Sequence, residues 1–86
     1  MSKKLYIGNL SYDTTDNSLQ DFFSGAGKVE SAVIIKDKIS GRSKGFGFVE
    51  MSTEDEAKKA IETLNEKELD GRTIVVDEAK PMTKSF

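Results

Sequence analysis

The side chains best placed to do chemistry in this chain are aromatic and basic. Phe46 and Phe48 lie two residues apart in Lys44-Gly45-Phe46-Gly47-Phe48-Val49-Glu50-Met51, a run that alternates with the period of a strand. Lys44, Phe46, Phe48 and Glu50 then share one face, and Gly47, Val49 and Met51 share the other. The second set is apolar or small and belongs against a core. The first set begins and ends with a charge and belongs in water, so two phenyl rings are left on a wet surface. Lys4-Leu5-Tyr6-Ile7 sorts the same way, with Leu5 and Ile7 inward and Lys4 and Tyr6 outward. If the two strands are neighbours, Tyr6, Phe46 and Phe48 form a three-ring platform beside Lys44. Exposed aromatic patches of that kind serve a partner.

The residues that are absent restrict the chemistry further. The 86 residues contain no Cys and no His. A disulfide framework, a thiolate metal site, a Cys nucleophile, an imidazole base and a Ser-His-Asp triad are all excluded. No cofactor and no metal ion is expected, and the chain reads as non-catalytic. No apolar run approaches the ~18 residues of a membrane span. The formal charge of −2 argues against a nucleic-acid partner until its distribution is read. Residues 50–70 hold eight acids and three Lys, while residues 36–44 hold Lys36, Lys38, Arg42 and Lys44 against Asp37 alone. One side is acidic and the other modestly basic.

These residues need a scaffold. Residues 4–10 read as a strand ended by Ser11, Asp13 and Thr14. Thr15 caps a helix whose Leu19, Phe22 and Phe23 recur at core spacing, and Gly25 and Gly27 stop it. Tyr12 reads as a clamp within its loop. Residues 29–36 form a second strand, 37–44 a polar loop, and 45–51 the third strand. Thr53 and Glu56 form a capping box for a second helix with Ala57, Ala60, Ile61 and Leu64 inward, ended at Asn65. Leu69 is an apolar anchor, Asp70-Gly71 a turn, and 73–78 the fourth strand, with Pro81 forbidding much continuation.

The order βαββαβ is that of an α+β, ferredoxin-like sandwich. Right-handed crossovers place both helices on one face of a four-stranded antiparallel sheet and leave the other face wet. One domain is expected over 3–80, with 1–2 and 81–86 as short, loose termini in which only Phe86 offers a ring to fold back.

Leu5-Tyr6-Ile7-Gly8-Asn9-Leu10 resembles the RNP2 motif of the RNA recognition motif (RRM) family, and residues 44–51 resemble its RNP1 octamer. The resemblance spans about residues 3–80. It implies a strand order of 4-1-3-2, with Tyr6 and Phe48 stacking on bases, Phe46 against sugars, and Lys44 at a phosphate. Gly45 and Gly47 would allow close strand approach, and Asn9 would order the connection after the first strand. In the second strand Ala32 and Ile34 would be core, with Val33 and Ile35 edging the platform. In the fourth, Ile74 and Val76 would be core, with Val75 and Asp77 facing RNA. Lys4, Ile35, Arg42, Glu50 and Lys80 are the supporting candidates. Met51 departs from the aromatic usual at the last octamer position, and Glu50 places a negative charge on the binding face. Glu50 could accept from a base amino group or weaken phosphate binding.

The function implied is single-stranded RNA binding on the open sheet, in the manner of stand-alone single-RRM proteins of bacterial type, in the cytoplasm. The same rings would accept single-stranded DNA, because every base has a π-face. A protein partner on the helix face is a further reading, weighed against a simply solvated second helix. An acylphosphatase-like hydrolase on this architecture needs an Arg in the loop after the first strand, and residues 11–18 contain none.

Overall fold

Hydrophobic alternation sets the register of the strands, and the register sets the face each side chain takes. The computed structural model describes residues 3–79. The elements are β1 (Lys4–Gly8), α1 (Asp16–Ser24), β2 (Val29–Lys36), β3 (Ser43–Met51), α2 (Glu54–Leu64), β4 (Glu68–Leu69), β5 (Arg72–Thr73) and β6 (Val75–Glu78). The main sheet runs β2-β3-β1-β6, all antiparallel, so the expected order holds with β6 as the fourth strand.

Leu5, Ile7, Ile34, Val49, Met51 and Val76 turn one sheet face inward. Leu19 and Phe23 from α1, with Ala57 and Ala60 from α2, close over it in a single core. Phe23 is fully buried, whereas Phe22 is only half-buried and packs on the rim with its ring 5.8 Å from that of Phe23. The two were expected to be equal core residues. Helical spacing puts both on the apolar side, but the stripe is narrow and only one ring reaches its centre.

Both helix starts follow the capping chemistry. Thr15 Oγ1 accepts from the Ser18 amide, and Thr53 Oγ1 accepts from the Glu56 amide, each at 3.1 Å. Glu56 departs from a simple capping box. Its carboxylate takes the Ser52 hydroxyl and, at 3.2 Å, the Lys28 amide, tying α2 to the segment that enters β2. These bonds, that of Ser52 foremost, hold the Glu56 carboxyl below its usual range. A carboxyl depressed by folding stabilises the protein above its unfolded pKa, and that stabilisation is lost as pH falls through the folded pKa. Glu56→Gln is therefore expected to lower the urea midpoint near pH 7, and the difference from the parent should close as pH falls through the folded pKa of Glu56. A gap that stays constant with pH would show that the bonds do not depend on charge.

Three boundaries differ from the sequence reading. β1 ends at Gly8 rather than residue 10, because Asn9 turns the backbone left-handed with φ 58°. β3 begins at Ser43, two residues early. The fourth strand begins at Val75, because Arg72–Thr73 pairs instead with Glu68–Leu69. That hairpin closes on Asp70 and Gly71 with φ of 54° and 86°, the two left-handed residues that a type I′ turn demands. Thr14, buried in the β1–α1 loop, donates from its hydroxyl to Asp70 at 2.8 Å and pins the hairpin to the body.

Candidate nucleic-acid interface

The register places the aromatic residues in one patch. Tyr6 is the Cα partner of Phe48 across β1 and β3, and Phe48 is the partner of Val33 across β3 and β2. On the other side Tyr6 pairs with Asp77 of β6. One row across the sheet thus reads Asp77, Tyr6, Phe48, Val33. In the neighbouring row, Gly8 of β1 stands opposite Val75 of β6. On the other side of Tyr6, Lys4 stands opposite Glu50.

The three rings form a triangle. Their centroids lie 5.9 Å apart for Tyr6 and Phe46, 6.0 Å for Tyr6 and Phe48, and 6.2 Å for Phe46 and Phe48. Phe48 meets Tyr6 and Phe46 edge to face at 65° and 89°, and Tyr6 and Phe46 are tilted by 33°, so the rings do not form one flat plate. Mutual packing also corrects the expected exposure. Tyr6 is 36% exposed, while Phe46 and Phe48 are half-buried. Alternation along one strand gives the facing of a ring but not the shelter its neighbours provide.

Two supports were not legible in the motif. Lys4 Nζ lies 5.1 Å from the Phe48 ring centroid, so the cation is seated on a ring. Gly8 carries the Tyr6 ring: a Cβ there would lie 2.8 Å from the phenol oxygen and 2.9 Å from a ring carbon. The ring therefore lies along the strand over the missing side chain. An aromatic followed two residues later by glycine on the same strand face is the signal that could have identified this pair. Gly47 acts on the other face as the resemblance implied. A Cβ there would run into the Val33 carbonyl and come within 3.1 Å of Ile34 Cα, backbone that cannot yield. β2 is irregular between Ile34 and Lys36, and Asp16 of α1 accepts from the Ile34 amide at 2.8 Å.

The remaining candidates fall in different places. Ile35 is half-buried, Val33 and Val75 are exposed, and Glu50 is half-buried opposite Lys4. Lys44 is exposed at the start of β3, and Arg42 is exposed in the β2–β3 loop. Arg42 lines a groove with Lys36, Tyr12 and Thr15, apart from the ring triangle. Tyr12 is 73% exposed, so it does not clamp its loop. The β2–β3 loop is ordered by Asp37, whose Oδ1 accepts from the amides of Ser40 at 3.1 Å and Ile39 at 2.7 Å. Those amides hold the Asp37 carboxyl below its usual range. Asn9 orders the chain after β1, accepting from Arg72 at 2.7 Å and donating to the Thr73 carbonyl. Lys80 and Phe86 lie outside the described residues, as do both expected loose termini. Among the described residues no cluster of three or more acidic side chains is disposed to hold a metal ion.

A wet sheet face with a ring triangle, over a βαββαβ body, defines a class, and the family comparison agrees with it. The RNA recognition motif model matches residues 5–75, and the chain belongs to that family. It is 52% identical over 79 residues to glycine-rich RNA-binding protein 1 of Mycosarcoma maydis, covering 92% of this chain and 45% of that protein. It is 50% identical over 80 residues to the chloroplastic small RNA-binding protein 11 of Arabidopsis thaliana, covering 93% and 55%. The chain thus spans about half the length of these curated relatives. Among solved structures, it superposes on a Sxl-lethal protein/RNA complex with a TM-score of 0.92 at 28% identity, covering 99% of this chain and 51% of that one. The two curated relatives are fungal and plant proteins, so they lend no support to the bacterial-type qualifier.

Proposed function

We propose that this chain binds single-stranded RNA on the open face of its sheet, without catalysis. The observation that carries the reading is the ring triangle on the sheet face opposite the helices, which no other described element covers. Its family membership and the RNA bound by a structural relative support it. Tyr6 and Phe48 take one base each, and Phe46 packs against sugars between them. Lys44 and Arg42 meet phosphates, and Lys4 keeps its place over Phe48. Ile35 widens the apolar floor, and Glu50 accepts from base amino groups. Lys80, outside the described residues, is the remaining supporting candidate. The binding unit is proposed to span 3–80. A chain of bacterial type, acting in the cytoplasm, belongs to the same proposal.

Paired RNA has its bases already stacked and offers the rings nothing. A single-stranded octamer is expected to bind in the micromolar range, with the matching duplex at least about tenfold weaker. With about two or three phosphates neutralised, log K should fall against log salt with a slope near −1.5 to −2. Fluorescence anisotropy at several salt concentrations reads both. Equal affinity for duplex and single strand, or a much steeper slope, would mean that charge and not stacking holds the ligand. Single-stranded DNA is the second ligand the rings would take. The discriminating measurement is an octamer of each sugar at one base sequence.

A further inference from the structure

Each strand flanking β1 places one side chain beside Tyr6: Phe48 on β3 and Asp77 on β6. The Tyr6 ring leans over Gly8, whose partner on β6 is Val75. A base stacked on that ring is therefore bordered on the β6 side by Val75 and Asp77, both exposed. Directly opposed residues on one sheet face have Cβ atoms roughly 5 Å apart, within reach of a stacked base. Among the described residues the Asp77 carboxylate receives one hydrogen bond, from the Glu78 amide to Oδ1 at 2.7 Å. Glu50, the other carboxylate on this face, stands opposite Lys4 and away from this position.

A carboxylate beside an RNA-binding ring repels phosphates, so its use must lie with base edges. An ionised carboxylate only accepts. Guanine alone presents two adjacent donors, N1–H and the N2 amino group, which match the two oxygens of a carboxylate in a forked pair. Cytosine and adenine each set one amino donor beside a ring-nitrogen acceptor, and uracil sets one donor between two carbonyls. Each of these would turn a lone pair toward the carboxylate.

We propose that Asp77 makes the Tyr6 position a guanine-selective subsite, with the base stacked on Tyr6 and its N1–H and N2 amino group donating to the Asp77 carboxylate. The proposal rests on the RNA-binding reading above. It is tested by anisotropy with uridine octamers carrying one central guanosine, inosine, adenosine or no substitution. Guanosine is expected to tighten binding about tenfold over the all-uridine octamer, because two charge-assisted bonds form. Inosine, which lacks the N2 amino group, should lose most of that gain. Asp77→Asn should reduce the guanosine preference to about twofold while an amide spectrum shows the fold intact. Equal affinity for all four octamers would overturn the proposal. So would a guanosine preference that survives Asp77→Asn, or a uniform gain for every octamer in that variant, which would reduce Asp77 to phosphate repulsion. Those outcomes leave the RNA-binding reading standing. No binding of any octamer at millimolar concentration would instead defeat that reading, and this inference with it.

Discussion

Replacing Tyr6 and Phe48 together by alanine is expected to cost about 2–5 kcal/mol of single-stranded RNA affinity. Each base stacked on an aromatic ring is worth roughly 1–3 kcal/mol by alanine substitution. The two rings touch, so the single losses need not add, and the double variant is set below their maximum sum. The fold should survive. Tyr6 is exposed and Phe48 half-buried, so neither removal opens a closed cavity. Phe48→Ala also unseats Lys4, which makes a small loss of stability part of the expectation. Phe48→Leu separates the effects, since it fills much of the space without a π-face. It should lose most of the affinity that Phe48→Ala loses. Anisotropy beside urea unfolding gives both quantities. Unchanged affinity in the double variant, or a chain that no longer folds, would count against the platform.

The converse result is expected at Phe23. Its ring is fully buried at the junction of α1 with the sheet, against the half-buried Phe22. Phe23→Ala should cost about 3–5 kcal/mol of stability, the transfer and cavity cost of a buried Phe. A domain of this size has roughly 5–10 kcal/mol in total, so much of the population could unfold at ordinary temperature. The folded fraction must keep its RNA affinity, because the ring is on the helix side of the sheet. Phe22→Ala is expected to cost clearly less, since part of that ring is already in water. Urea midpoints for the two variants order them. Equal costs would mean that the difference in burial does not govern the packing.

What could be read before the fold was seen follows from one regularity. Alternation in 44–51 separates Phe46 and Phe48 from Val49 and Met51, and the structure keeps that separation. Leu5 and Ile7 against Tyr6 follow the same rule. Capping chemistry was equally local, and Thr15 and Thr53 cap where expected. What could not be read depends on contacts distant in sequence. Phe46 and Phe48 are less exposed than their strand face implies, because Tyr6, from the other end of the chain, packs against both. The β4–β5 hairpin takes Thr73 from the expected fourth strand, since a two-residue turn at Asp70-Gly71 makes local pairing cheaper than extension. Asp77 could be placed on the open face, but its position opposite Tyr6 is a fact of register.

The most direct test of the platform is an amide NMR titration with a short single-stranded RNA of degenerate sequence. The geometry predicts shifts concentrated at Tyr6, Phe46 and Phe48, spreading to Val33, Asp77 and the loop at 37–42, with Glu54–Leu64 unmoved. Shifts confined to that helix, or none at millimolar RNA, would contradict RNA binding on the open sheet.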